Sequence, residues 1–546
     1  MHRIFDIYKS WPKVTIHSEI YTLILSLYIS TLLNQKLWAQ LSDIQTDQSL
    51  TNQAIFGLAL FVLLTTLNYW ILSLISWGRS QKIVLVLVTL AVASAAHFSN
   101  TYDVHYDTSM MANLLATDYA ESRELLSWRW LWSVWIYSVP VVLLALSTRI
   151  SKLTVTRKVT HKLIGVSATL VLSLVCLLPQ LKTFTSVMRN HHDLRHYAIP
   201  VGMVVSGIRQ ATVLKAVPAE KLVKIGEDAQ YQAPVDKKNE LMVIVVGETV
   251  RAANWGLSAY SRDTTPLLRK KDVINFPYAV SCGTNTETSV PCMFSVYGRE
   301  NYSERKIKET QNLLHIVHKV GFGVTWIDNQ SGCKGVCAGL EFVDAKKFSD
   351  PKDCFEGHCY DSNLLSALEW SIDHQAGNQV IVLHQIGNHG PAYYKRYPEN
   401  YAFYQPECRD TNLDRCSKES LINAYDNSIR YTDKLLSGVI DLLEKQKNKN
   451  VSMIYVSDHG ESLGEKGVYL HGMPYAIAPK EQKEVPMMFW FSEQYQKTYA
   501  KSVACLKQQS KDPAHHDHIF HTVLGLLNIQ TASKKQEMDL SQVCHG

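Results

Sequence analysis

Five apolar stretches fall within the first 180 residues, at 19–38, 54–77, 82–98, 129–146 and 163–179. A helix needs about 20 residues to cross the hydrocarbon core of a bilayer. Five such stretches so close together, with Trp and Tyr at their edges, read as membrane spans rather than as buried core helices. The first is long, has no small-residue cleavage site, and is followed by further spans, so it is not a removable signal segment. The chain of 546 residues exceeds what one core organises. It divides into a transmembrane domain at 1–180, a bridging helix and linker at 181–239, and a water-soluble domain at 240–546.

Loop charges orient the spans. Arg3, Lys9 and Lys13 precede the first span, Arg79 and Lys82 lie between the second and third, and Arg149, Lys152, Arg157, Lys158 and Lys162 lie between the fourth and fifth. The intervening loops carry Asp43 and Asp47, then Asp103, Asp107, Asp118, Glu121 and Glu124. Positive loops stay inside, so the N-terminus is expected in the cytoplasm. Five crossings then put everything after Pro179 on the outer face. The formal net charge of +5 is small for this length and no basic aromatic groove is evident, which argues against a nucleic-acid partner.

Residues 102–127 are too polar to span, yet Met110, Met111, Leu114, Leu115 and Leu125 recur at near-helical spacing. They are expected to form a helix lying in the outer interface. Asn113, Thr117 and Glu121 share one face of it at i, i+4, i+8. A short amphipathic piece is expected near 196–214.

From residue 240 onward, apolar runs that read as strands alternate with helical patterns, which predicts an α/β domain with a mixed, mostly parallel sheet. Ten of the eleven cysteines lie there, and only Cys176 lies in a span. They fall as close pairs: Cys282/Cys292, Cys333/Cys337, Cys354/Cys359 and Cys408/Cys416, with Cys505 and Cys544 left over. An oxidising compartment permits disulfides, so four bridges are expected, and a fifth between Cys505 and Cys544. Two of the spacings are short enough for a structural zinc site, too few to favour that alternative.

Three apolar runs end in polar residues: LMVIVVGET at 241–249, IVLHQIGNHGP at 381–391 and MIYVSDHGESLGE at 453–465. Ligands of parallel sheets gather beyond the carboxyl ends of the strands, so Glu248, Asp458 and His459 are expected to converge. A fourth motif, SCGTNTETSVPCMFS at 281–295, offers Thr284, Thr286, Thr288 and Ser289 as candidate nucleophiles. The residues alone do not choose among them.

These four motifs, in this order, resemble the lipid A phosphoethanolamine transferases, membrane enzymes of the alkaline phosphatase superfamily. The resemblance runs over nearly the whole chain and implies an alkaline phosphatase/sulfatase-like fold for the soluble domain. It selects Thr286 as the nucleophile and implies a Zn²⁺ ion held by Glu248, Asp458, His459 and Thr286, with a second zinc optional. Zinc takes carboxylate oxygen and imidazole nitrogen, lowers the pKa of a bound hydroxyl and neutralises phosphoryl oxygens.

His389 and His471 resemble residues that bind the transferred group or a second zinc, or that protonate the leaving alkoxide. Lys334 matches a lysine near the donor phosphate. Glu300 falls near an acidic family position, one residue out of register. Asn113, Thr117 and Glu121 match a segment that helps hold the donor. Glu287 departs from the small or apolar residue expected there and adds charge beside the nucleophile. His358, His384, His515, His516, His518 and His521 read as structural or surface residues.

By resemblance, the expected reaction moves phosphoethanolamine from phosphatidylethanolamine to a lipid A phosphate through a phosphoethanolamine–threonine intermediate. The expected consequence is resistance to cationic peptides such as polymyxins. The expected setting is the bacterial inner membrane with a periplasmic catalytic domain, the chain acting as a monomer. Alternatives are another envelope acceptor (a core sugar or periplasmic glucan), a phosphoglycerol transferase, and a catalytically dead membrane scaffold. Intact Glu248, Thr286, Asp458 and His459 argue against the last.

Overall fold

The computed structural model describes residues 13–44, 49–117, 122–123, 125–213, 218–355, 358–411 and 413–542. The chain separates into two compact units, Met1–Met111 with Leu126–Gln210, and Ala112–Leu125 with Ala211–Gly546.

The first unit is helical. Among the described residues, four helices are long and apolar enough to cross a membrane: α2 (Leu50–Ile75), α3 (Gln81–Tyr102), α5 (Trp128–Ser147) and α6 (Val155–Leu177). The first expected span is instead a shorter apolar helix, α1 (Ser18–Leu32). Its 15 residues rise about 22 Å, less than the roughly 30 Å hydrocarbon core. Asn34 stops it early. The Asn34 amide donates to Ile29 O and Ile199 O and accepts from Ile199 N, each at 2.8 Å. A side chain committed to backbone groups competes with the helix ladder.

In α6, only 6% of the most apolar window is buried, and Leu163, Ile164, Leu172 and Val175 are exposed. An apolar face that large needs lipid rather than water against it. The charges inside this unit are paired: Lys162 approaches Glu19 at 3.7 Å and donates to Ser73 Oγ at 3.1 Å, and Tyr69 donates to Glu19 at 2.7 Å. That polar cluster ties α1, α2 and α6 together.

The expected interfacial helix is shorter than 102–127. It runs over α4 (Thr108–Ala116), and Thr117 closes its last turn, its N–H and Oγ both donating to Asn113 O at 2.9 and 2.8 Å. Asn113 and Thr117 therefore share the face of that last turn. Glu121 lies outside the described residues. The piece expected near 196–214 is the helix Val201–Val213.

The second unit is built on an eight-stranded sheet. Its strands are β1 (Asn239–Gly247), β2 (Val273–Val280), β3 (Gly323–Asp328), β4 (Glu341–Asp344), β5 (Gln379–His384), β6 (Lys449–Ser457), β7 (Glu484–Phe491) and β8 (Ala514–His515), in the order β8-β2-β7-β6-β1-β5-β3-β4. Strands β6, β1, β5, β3 and β4 run parallel; β7 is antiparallel to β6 and β2.

Central parallel strands are covered on both faces and so read as unbroken apolar runs. In β1, Met242, Ile244 and Val246 enter one core, and Leu241, Val243 and Val245 enter the other. The second core packs against α8 (Asn363–His374) and α9 (Lys418–Leu443) through residues such as Leu364, Leu368, Ile429 and Leu436.

Four disulfides join the expected pairs Cys282–Cys292, Cys333–Cys337, Cys354–Cys359 and Cys408–Cys416. Cys505 is also disulfide-bonded; Cys544 lies outside the described residues. Short closed loops stiffen their surroundings more than they stabilise the whole fold.

At the far end of β1, burial lifts the Glu240 carboxyl to about 7, against hydrogen bonds from Tyr499 (2.8 Å) and Asn450 (3.1 Å) that favour its charged form. A carboxyl raised by folding contributes stability at low pH that is lost as pH rises through its folded value. Glu240→Gln is therefore expected to resemble the parent near pH 5 and to exceed it by about 1–3 kcal/mol near pH 8. Thermal unfolding of the two proteins across this pH range checks it.

Candidate active site

Strand register assembles the site. Gly247 pairs with Ser457 and Val246 with His384, so Glu248 and Asp458 leave adjacent parallel strands at the same level. Both carboxylates and His459 are fully buried. One donor atom from each of the three lies within 4.8 Å of the other two.

Thr249 holds this geometry. Its φ of +61° is uncommon for a β-branched residue. Three contacts maintain it: Thr249 Oγ1 donates to Glu248 Oε1 at 2.6 Å, its N–H to Asp458 Oδ1 at 3.1 Å, and its carbonyl accepts from the Tyr425 hydroxyl at 2.7 Å. On the other side, Gly387 lies so close to Glu248 that a Cβ would stand 2.7 Å from the Glu248 carbonyl oxygen. Only glycine fits there.

The loop that leads into Thr286 is anchored from below. Asn285 caps α7 (Thr286–Met293), its side chain accepting from Thr288 N at 3.0 Å. Thr286 is the first helical residue, where free amides favour an anion. Thr286 Oγ1 donates to Glu248 at 3.1 Å (Oε2) and 3.3 Å (Oε1) and stands 3.4 Å from His459 Nε2. Two of the rivals are engaged elsewhere: Thr284 Oγ1 donates to Met473 O at 2.6 Å, and Ser289 Oγ donates to Asp458 O.

Charge in the cluster is strongly coupled. Although burial opposes it, hydrogen bonding and charge from His459 hold Glu248 well below the usual carboxylate range. Burial, then Glu248, pushes Asp458 up to about 7. Against burial, Asp458 and Glu248 raise the His459 imidazole to about 10. Asp458 Oδ2 is buried without a hydrogen bond. Two carboxylates, an imidazole and a hydroxyl around such an orphaned oxygen suit a divalent cation with nitrogen and oxygen ligands. A second grouping, Cys282, Cys292 and Asp517, has its sulfurs in a disulfide and offers no thiolates.

Residues 240–529 match the family model described as Sulfatase, and residues 64–213 match the one described as Phosphoethanolamine transferase EptA/EptB. The chain is 37% identical to Phosphoethanolamine transferase EptA of Escherichia coli (strain K12), covering 96% of each. It is 37% identical to Phosphatidylethanolamine transferase Mcr-1 of Escherichia coli, covering 88% of each. Its fold matches the integral membrane protein lipooligosaccharide phosphoethanolamine transferase A from Neisseria meningitidis with a TM-score of 0.89 and 34% identity, over 98% of this chain and 99% of that one. The chain belongs to the phosphoethanolamine transferases of the alkaline phosphatase superfamily.

In this transferase, His389 and His471 flank the cluster. The His471 ring lies 4.3 Å from that of His459 and 5.4 Å from that of His389. Burial lowers both His389 and His471 to about 3, so both rings are neutral. The Lys334 ammonium folds back on Ser331 Oγ at 2.6 Å. From the same loop, Gln330 Nε2 reaches Glu248 Oε2 at 3.3 Å. Glu300 is exposed, and its backbone N–H donates to Asp517 at 3.3 Å. The Glu287 carboxylate is met by Lys308 at 2.8 Å, which also meets Glu304 at 3.2 Å, so its added charge is compensated.

Several supporting residues have no sequence signal that sets them apart. His516, read as structural or surface, is fully buried beneath the loop at 282–286. It accepts from Cys282 N at 3.1 Å and approaches Ser457 O at 3.0 Å. His384 pairs with Asp328 at 2.8 Å under the loop that carries Gln330. Glu461, its carboxyl pushed well above the usual range chiefly by burial, lies 3.3 Å from His471 Nδ1.

Proposed function

We propose that this transferase moves phosphoethanolamine from phosphatidylethanolamine to a phosphate of lipid A, with Thr286 as the nucleophile. The observation that carries the reading is Thr286 Oγ1 lying 3.1 Å from Glu248 and 3.4 Å from His459, at the first turn of α7. A Zn²⁺ ion held by Glu248, Asp458, His459 and Thr286 would lower the hydroxyl pKa and neutralise phosphoryl charge.

Thr286 Oγ attacks the donor phosphorus, a bond forms to Oγ, and diacylglycerol leaves with a proton. An oxygen of the acceptor phosphate then attacks the phosphoethanolamine–threonine, and Thr286 recovers its hydroxyl. The α7 amides and Lys334 favour the anionic group. Neutral His389 and His471 suit binding: a ring N–H donates to a phosphate oxygen, or a ring lone pair accepts from the ethanolamine ammonium.

The lipid A acceptor draws support from the likeness to the Kdo(2)-lipid A phosphoethanolamine 7''-transferase of Escherichia coli (strain K12), 27% identical over 87% of each chain; polymyxin resistance would follow because the added amine masks negative charge that attracts cationic peptides. Loop charge supports an N-terminus in the cytoplasm, a fifth crossing by α1 and a periplasmic catalytic domain; a monomeric inner-membrane chain is part of the same proposal.

The test is mass spectrometry of lipid A from cells with and without the protein, repeated with purified protein after chelation and after Zn²⁺ is restored. Phosphoethanolamine-bearing lipid A should appear only with the protein, vanish on chelation and return with zinc. Unmodified lipid A throughout would sink the reading.

A further inference from the structure

Beside the nucleophile loop, two cations grip one tyrosine. The Arg299 guanidinium lies 3.8 Å from the centre of the Tyr475 ring and 5.2 Å from that of Tyr302. The Lys483 ammonium lies 5.4 Å from the Tyr475 ring and 3.5 Å from its carbonyl oxygen. Tyr475 donates its hydroxyl to Ser281 O at 2.9 Å, and Arg299 Nη1 donates to Cys282 O at 3.2 Å. Cys282 stands four residues before Thr286. The strap that carries Tyr475 also bonds to the loop: Gly472 N donates to Thr284 O at 2.8 Å, next to His471. The patch and the catalytic cluster are thus two ends of one loop-and-strap unit.

Among the described residues, neither cation has a carboxylate within 4.0 Å, whereas Glu287 nearby takes Lys308 at 2.8 Å. The adjacent Asp517 carboxylate is occupied, accepting the backbone N–H of Arg299 at 2.7 Å and of Glu300 at 3.3 Å. A guanidinium carries five N–H donors, and this one commits a single donor to Cys282 O. Stacking between aromatic faces fixes its plane and leaves its donor edge available, an arrangement suited to phosphate oxygens.

We propose that Arg299 and Lys483 form the seat for the anionic phosphate of the acceptor, and that they act in the second half-reaction. This rests on the transferase reading above. The group that leaves in the first step, diacylglycerol, is neutral; the group that attacks in the second is a phosphate. There an acceptor phosphate oxygen bonds to phosphorus as the P–O bond to Thr286 breaks, and the proton of the acceptor monoanion passes to the Thr286 oxygen. A cation pair at this position lowers the cost of bringing that second anion to the phosphoethanolamine–threonine; the single anion of the first step, the donor phosphodiester, is held at Thr286 by the α7 amides and Lys334.

The experiment separates the two steps on full-length protein in detergent. Adduct formation on Thr286 is followed by intact mass with phosphatidylethanolamine alone, and transfer is followed after adding lipid A. In Arg299→Gln the adduct should form at close to the parent rate, while kcat/KM for lipid A falls about tenfold or more through KM. Lys483→Gln should show the same split more weakly, and Arg299→Lys should recover part of the loss. Unchanged transfer in both glutamine variants overturns the proposal, as does a parallel fall in both steps. Where Arg299→Gln folds poorly, Lys483→Gln decides, because its ammonium makes only the long contact to Tyr475. No adduct in the parent protein would instead defeat the transferase reading.

Discussion

Thr286→Ala is expected to abolish transfer, lowering kcat by at least about 10³-fold. Thr284 and Ser289 lie in the same loop but cannot substitute, because each hydroxyl is spent on a backbone carbonyl, Met473 O and Asp458 O respectively. The variant should fold normally. The Asn285 cap uses its own side chain and Thr288 N, and the Glu248 carboxylate keeps its bonds from Thr249 and Gln330. Intact mass after incubation with phosphatidylethanolamine checks it directly: an adduct on the parent and none on the alanine variant. Lipid A modification by the alanine variant at even a tenth of the parent rate would remove Thr286 from the mechanism.

Asp458→Asn is expected to have the next largest effect, weakening metal binding by more than about 100-fold and activity with it. Asparagine keeps the shape, and its Oδ1 can still accept from Thr249 N and His459 N, which now bond to the aspartate. It replaces Oδ2, the buried oxygen without a hydrogen bond, by an amide that cannot ligate through its N–H₂ group. The metal-free variant should melt no lower than the metal-free parent. In the parent, burial and then Glu248 push the Asp458 carboxyl up to about 7, a repulsion that asparagine removes. Bound metal per chain and melting temperature, measured together, separate loss of a ligand from loss of the fold. Parent-like metal content would show that Asp458 is not a ligand.

Both expectations depend on contacts between residues far apart in sequence, and that separation marks what was legible beforehand. Strands β1, β5 and β6 were readable because central parallel strands are covered on both faces and leave continuous apolar runs. The convergence of Glu248, Asp458 and His459 follows from that pattern, since they sit just beyond the strand ends. The end of α1 was not readable. It is set by Asn34 meeting Ile199, 165 residues later. His516 could not be singled out for the same reason: a histidine among four at 515–521 has no local signature of being buried under Cys282 and Ser457. The charge that Glu287 adds beside Thr286 read as uncompensated in sequence because its partner Lys308 is 21 residues away.

The sequence by itself determined a membrane-embedded helical segment followed by an α/β domain, the cysteine pairs, and the polar tips where the chemistry gathers. These are local patterns of hydropathy, spacing and turn residues, which survive without knowledge of neighbours. Only the tertiary structure decided which hydroxyl meets the carboxylates, that His389 and His471 are neutral, that Glu287 is compensated, and that Arg299 and Lys483 share one tyrosine. Each of these depends on burial or on a partner distant in the chain, and the electrostatics of a buried group is set by what surrounds it in space rather than by its neighbours in sequence.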